Sequence, residues 1–316
     1  MPNFTPRILP ILLSLFFFAC TTPTVATGPE DEESSAAEDT ARVAEVAVKV
    51  DELNQKAAQH YERRMDIADL EGAISSWEEA LQHLEGAQDR TRAKKIKESL
   101  ARAYYFRARY HHSLATMPPK ERIFADTIRG SELARKAIAI DSPDLGQNLP
   151  SLARGERSFA GSSDFADLTS DGHPAFLTYL QNLVLYAETR GVATDLELRP
   201  LIDQGFTFLH SSAGDLSFGA PARYFGARQV ERPFGKNVEA SREAFDEALQ
   251  LAPGFLLTRV LRANTLARAT GDRALFESDL QQVLDASPDA LPEAEPENLF
   301  AQFMARALLS QVEQLF

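Results

Sequence analysis

Apolar residues recur with a helical period along most of the chain, and alternating runs of the strand type are nearly absent. The stretch "ESLARAYYFRARYHH" places Leu100, Ala101, Tyr104, Tyr105 and Ala108 on one broad face, with Arg102 and Arg109 opposite. "NVEASREAFDEALQLAPG" turns Val238, Ser241, Phe245 and Ala248 inward and Glu239, Glu243, Asp246, Glu247 and Gln250 outward. A last helix over 298–316 carries Ala301, Met304, Ala305, Leu308, Val312 and Leu315 on one face, and Pro292 and Pro296 set off its start. The pattern predicts an all-α fold.

The spacing between these stretches says more than any one of them. Phe245, Ala248 and Pro253 recur 35 residues on as Leu280, Val283 and Pro288. Between them lies "ATGDRALF", where Gly271 can end one helix and Asp272 can cap the next. A period near 34 with a large residue, a small or compact one and a proline after the helix is the signature of tetratricopeptide repeats. The small residue lets paired helices approach, and the proline stops the second helix. Weaker copies occur at Ala73, Trp77 and Ala80, and at Ala134, Ala137 and Pro143. The expected architecture is therefore a degenerate tetratricopeptide-like array of helical hairpins, an α-solenoid, over residues 41–316. Its largest interruption, 152–174, reads as loop-rich.

The first 40 residues follow a different pattern. Arg7 precedes an apolar run, Ile8 to Phe18, broken only by Pro10 and Ser14. That run is shorter than the roughly 20 apolar residues a membrane span needs. Ala19 and Cys20 follow it, and Cys20 is the only cysteine of the chain. Residues 1–19 read as a signal peptide and Cys20 as a lipid attachment point, with Phe17 where such sites usually carry leucine. The alternative is cleavage nearby that leaves Cys20 a free thiol. Thr21 after the cysteine, in place of aspartate, favours the outer membrane facing the periplasm. Residues 20–40, rich in Thr, Pro, Ser, Ala and acids, cannot build a core and are expected to form a lipidated, flexible acidic spacer. The net charge of −13 argues against a nucleic-acid partner held through its phosphates. With no cysteine after Cys20, packing alone must hold residues 41–316 together.

Reactive constellations are not legible. Six histidines form no metal motif. His111 and His112 diverge by about 100° on a helix and read as surface or cap residues. Gly235-Lys236 lacks the leading glycine of a phosphate loop, and Asn237 stands where it needs Ser or Thr. No catalytic residue, metal ligand or cofactor is expected. An enzyme would have to be assembled from Asp164, Asp167, Asp171, His173, His210 and Asp215. Aromatic residues cluster instead: Tyr104, Tyr105, Phe106 and Tyr110 on one helix, and Phe206, Phe208, Tyr224, Phe225 and Phe234 further on. They serve either as core knobs or as a greasy lining with hydroxyl handles, and both readings stay open.

One resemblance narrows the choice. In residues 222–316, Pro233, Gly235 and Asn237 form a turn ahead of the helix with Ser241, Phe245 and Ala248. Asp272, Arg273 and Phe276 follow, and the chain ends in Leu315 and Phe316. This pattern resembles the TatT family, tetratricopeptide-like lipoproteins associated with tripartite ATP-independent periplasmic (TRAP) transporters; Gly235 stands alone where the family often has two glycines. The resemblance implies a non-catalytic envelope protein that engages a periplasmic solute-binding protein and handles an apolar or amphipathic solute. On this reading Tyr105, Tyr224, Phe225 and Phe234 are expected to meet ligand or partner. Self-association is compatible with it. The alternative is a repeat scaffold for protein assembly in the envelope, which would present a polar, solid groove in place of a cavity.

Overall fold

The computed structural model describes residues 29–85, 89–159, 165–231 and 235–316, with side chains from residue 41 onward. The expected signal peptide, Cys20, Pro233, Phe234 and Asp164 lie outside the described residues. The chain divides into a unit ending at Ala44 and a second from Glu45 to Phe316, and apart from the start of the first helix everything that follows belongs to the second. Helix α1 (Pro29–Glu62) begins inside the stretch expected to be a flexible spacer. Proline suits a first helical turn, and the Glu and Ala that follow are good helix formers, so low hydrophobicity did not exclude a helix there.

Among the described residues there is no strand, and consecutive helices pack as hairpins. α2 (Ile67–His83), α3 (Arg90–Phe106) and α4 (Lys120–Asp141) pack in sequence, followed by the short α5 (Pro143–Asn148). α6 (His173–Arg190) packs on α4 and on α7 (Val192–Ala213), and α8 (Leu216–Glu231) pairs with α9 (Val238–Leu251). α10 (Leu257–Arg262) and α11 (Arg268–Thr270) are joined by a π turn at Ala263–Ala267. α12 (Arg273–Asp285), α13 (Glu295–Leu309) and α14 (Val312–Leu315) close the array.

Local chemistry sets these boundaries. Asp66, Asp89, Asn237 and Asp272 each accept a backbone N–H of the helix they start, at 2.8–3.0 Å. Such caps stabilise by about 1 kcal/mol each. Gly271 ends α11 at φ +67°, a conformation a side chain would strain.

The repeat positions form the seams. Phe245, Ala248, Leu280 and Val283 are fully buried, as are Ala73, Ala80, Ala134 and Ala137. α8 and α9 approach so closely that the Phe245 ring lies 2.8 Å from where a Cβ on Gly226 would stand. Val238 departs from the pattern and is exposed, because it opens α9 ahead of the packed turn. The interruption at 152–174 is not merely loop: Phe165 and Leu168 are buried, and Phe165 meets Phe176 at 4.8 Å. The last helix starts earlier than its pattern indicated and breaks after Leu309, leaving Met304, Leu308, Val312 and Leu315 only partly covered.

Its deepest residues include Asn298 and Gln302, which polarity had hidden. Asn298 accepts the Leu256 N–H at 2.9 Å and donates to Gly254 O and Pro288 O, satisfying the ends of neighbouring helices. The histidines also lie deeper than expected. His173 is buried and packs edge-on to Phe208 at 5.6 Å, and burial lowers its pKa. His111 shares a hydrogen bond with Arg64 O at 2.9 Å.

Candidate functional site

Within the second unit the helices line a partly open cavity of about 900 Å³. Small-molecule sites usually span about 300–1,000 Å³. One wall comes from α3 and α6, the other from α8 and α10, with Glu293 and Glu297 near α13 at its edge. On α8, Ala220, Arg223, Tyr224, Ala227, Arg228 and Glu231 recur at helical spacing and all face it. On α6, Leu177, Thr178, Gln181, Val184, Leu185 and Glu188 do the same. The π turn Arg107–His112 continues α3 and supplies Arg109 and Tyr110, and the π turn at Ala263–Ala267 supplies Asn264 and Thr265. Both wide turns thus line the cavity, one on each wall, and such bulges concentrate at functional sites.

The sequence-expected residues divide. Tyr105 faces the cavity, and its hydroxyl has no hydrogen-bond partner among the described residues. Tyr224 faces it with its ring, which stacks on Phe206 at 3.9 Å, while its hydroxyl donates to Asp203. Burial and the Asp203 charge push the Tyr224 phenol up, so it stays protonated. Phe225 does not reach the cavity; it packs against His210 at 5.7 Å and the edge of Tyr224 at 5.4 Å. Adjacent residues on one helix point about 100° apart, so Tyr224 and Phe225 cannot share a face. Phe234 lies outside the described residues.

The charged residues on the wall were not found by sequence reasoning, which assigned helical Arg102 and Arg109 to the polar face. Arg109 instead pairs with Glu188 at 3.0 Å, and that attraction raises its pKa against the cost of burial. Glu231 also faces the cavity, and its carboxyl is pushed up by the protein packed around it and by Glu188. Arg64 bonds Glu297 at 2.5 Å and Glu293 O at 3.0 Å, and lies over the rings of Tyr61 and Phe106. This buried pair ties the α1 end to α13 across the array.

Arg223 differs from them. It is 93% buried (7% exposed), and its guanidinium lies 4.3 Å over the Phe255 ring. Its donors go to backbone carbonyls, Ser217 O at 2.8 Å and Phe218 O. Those carbonyls come from a left-handed turn: Ser217, Phe218 and Gly219 have φ of 50°, 63° and 77°. A non-glycine residue in this region costs about 1–3 kcal/mol, and such strain gathers at binding sites. Phe218 stacks on Phe255 at 5.0 Å, completing a layer of ring, ring and guanidinium at the cavity edge.

The scattered acids and histidines that an enzyme would need do not converge. His210 pairs with Glu247 at 2.8 Å, His173 packs on Phe208, and Asp215 is exposed at the cavity rim. Asp167 and Asp171 engage neighbours through their backbone carbonyls. Among the described residues no group of three His, Cys, Asp or Glu is placed to hold a metal ion. Nor is any helix among them long and apolar enough to cross a membrane.

Residues 213–316 match the TAtT family, the TRAP transporter T-component. No curated protein gives a significant match. The matched stretch starts at the end of α7 and runs through α14, so it supplies one wall of the cavity, including Arg223, Tyr224 and Phe255. The resemblance motifs inside it do structural work: Asn237 and Asp272 are caps, Arg273 bonds Glu313, and Phe276 meets Phe316 at 5.1 Å.

Proposed function

From the match of residues 213–316 to the TRAP transporter T-component, we propose that this chain is a non-catalytic, periplasm-facing lipoprotein. It binds a periplasmic solute-binding protein and helps capture or transfer an apolar or amphipathic solute for a TRAP-type transporter. The observation that carries this reading is the 900 Å³ cavity, built half from the matched helices and half from the helices before them. A scaffold that used its concave face for protein alone would gain from filling such a space, since interiors pack to near-crystalline density. Rings from Phe206, Phe218 and Phe255 supply the apolar surface, and the Tyr105 hydroxyl and the arginines supply orientation. The partner surface is assigned to the loops near 211–237 and neighbouring helix ends; of that stretch, Asp215 and Leu216 line the cavity. Export through residues 1–19 and lipidation at Cys20 place the chain on the outer membrane.

The test is co-purification from the native envelope with the solute-binding protein encoded beside this chain. A reversible complex at tens of micromolar is expected, and palmitate label should disappear with Cys20→Ser. Absence of any complex at that concentration would return the scaffold reading.

A further inference from the structure

Deepening that reading and resting on it, we propose that the cavity takes an amphipathic carboxylate, with Arg223 as the anchor for its head group. Five guanidinium groups line the wall. Arg64 has Glu297, Arg109 has Glu188 and Arg228 has Asp203, while Arg102 is exposed and lies over Tyr61 at 5.4 Å. Arg223 is buried and has no carboxylate among the described residues. Burying a cation without a counter-charge is strongly unfavourable, and a group that must stay neutral would not be an arginine. Desolvation brings its pKa down only to about 10, so it carries its charge at neutral pH.

Capping the left-handed turn explains part of the arrangement. The two carbonyls of Ser217 and Phe218 occupy two of the five N–H donors and none of the charge. What remains is a fork suited to a planar carboxylate. The hydroxyls of Tyr105 and Tyr110 have no partner among the described residues, and both rings are close enough for Arg223 to act on their pKa. Burial keeps both phenols protonated, hence able to donate. At the other end of the cavity the cations already have carboxylates: Arg109 pairs with Glu188 and Arg228 with Asp203. Glu231 stands eight residues along α8, about 12 Å away by helix rise, beside Glu188. The cation left without a carboxylate therefore lies at the Arg223 end. The apolar body is accommodated by Phe206, Phe218, Phe255, Leu257 and Leu261.

Titration of the full chain with decanoate, decanol and decyltrimethylammonium separates the terms. Decanoate should bind at least tenfold more tightly than decanol, and the cation most weakly. Arg223→Met, with a similar stem and no charge, should bring decanoate to the level of decanol, and Arg223→Lys should restore part of the difference. Equal affinity for decanoate and decanol would overturn the anchor and leave the cavity as a general apolar site. A folded Arg223→Met that keeps the preference would overturn it too. If that variant does not fold, the head-group series on the parent chain decides alone. Binding of none of the three probes would overturn both this inference and the cavity as a solute site.

Discussion

Ala248→Arg is expected to abolish the cooperative unfolding transition of this chain. Ala248 is fully exposed to packing and not to water: it is 0% accessible, and its Cα lies 3.4 Å from where a Cβ on Gly219 would stand. A guanidinium there has neither volume nor counter-charge, and overpacking and an unpaired charge add. The displaced neighbours include the left-handed turn whose carbonyls hold Arg223, so damage would spread to the cavity. Glu247→Ala, one residue earlier, removes only a half-exposed contact with His210 and should change stability by less than about 1 kcal/mol. Thermal and urea melts of both variants check the pair. An Ala248→Arg protein melting within about 5 °C of the parent would contradict the seam assignment.

The second large effect is expected at Asp279. This carboxylate is fully buried on α12, accepts Arg262 twice at 2.7 Å, and accepts Arg259 at 3.3 Å. The hydrogen bond that Arg262 donates to Asp279 is the main cause that raises the Arg262 pKa. Asp279→Ala leaves Arg262 only the half-exposed Asp246, at 2.9 Å, and takes from Arg259 its one carboxylate partner among the described residues. A loss of about 3–5 kcal/mol is expected, the usual result of breaking one side of a buried pair. Asp246→Ala should cost about 1 kcal/mol or less. Urea denaturation gives both values, and a loss under about 1 kcal/mol for Asp279→Ala would show that water already reaches the pair.

What the sequence made legible follows from periodicity. Phe245 and Ala248 could be placed because the same pattern returns at Leu280 and Val283, and a seam repeated at a fixed interval is hard to imitate by chance. Gly271 and Asp272 were legible for a local reason, since a left-handed stop and a side-chain cap are set by neighbours. Tyr105 and Tyr224 could be singled out as aromatics, but nothing in the pattern separates Tyr224 from Phe225 until α8 has an orientation. Arg223 was barely legible. A charged residue on a helix reads as solvent-facing, and its burial depends on Phe255, which lies a whole hairpin away in the chain. Its one signal is the stripe of Ala220, Arg223, Ala227 and Glu231, where small and charged residues share a face. Asn298, Gln302 and Asp279 were hidden for the same reason, because their partners are carbonyls and guanidiniums brought in by packing. The two π turns leave no mark in the sequence, yet they set which residues of α3 and of the segment after α10 point inward.

The solute is expected to reside in the cavity. This expectation is tested most directly by native mass spectrometry of the full chain purified from its own envelope, beside a variant with the cavity filled. Gln181→Trp with Ala227→Phe places two rings into the space from opposite walls, at positions away from the left-handed turn. The parent should carry a small molecule above the solvent background. The filled variant, folded by circular dichroism and still co-purifying with the solute-binding protein, should carry none. Equal carriage by both proteins, or none by the parent, would contradict the account.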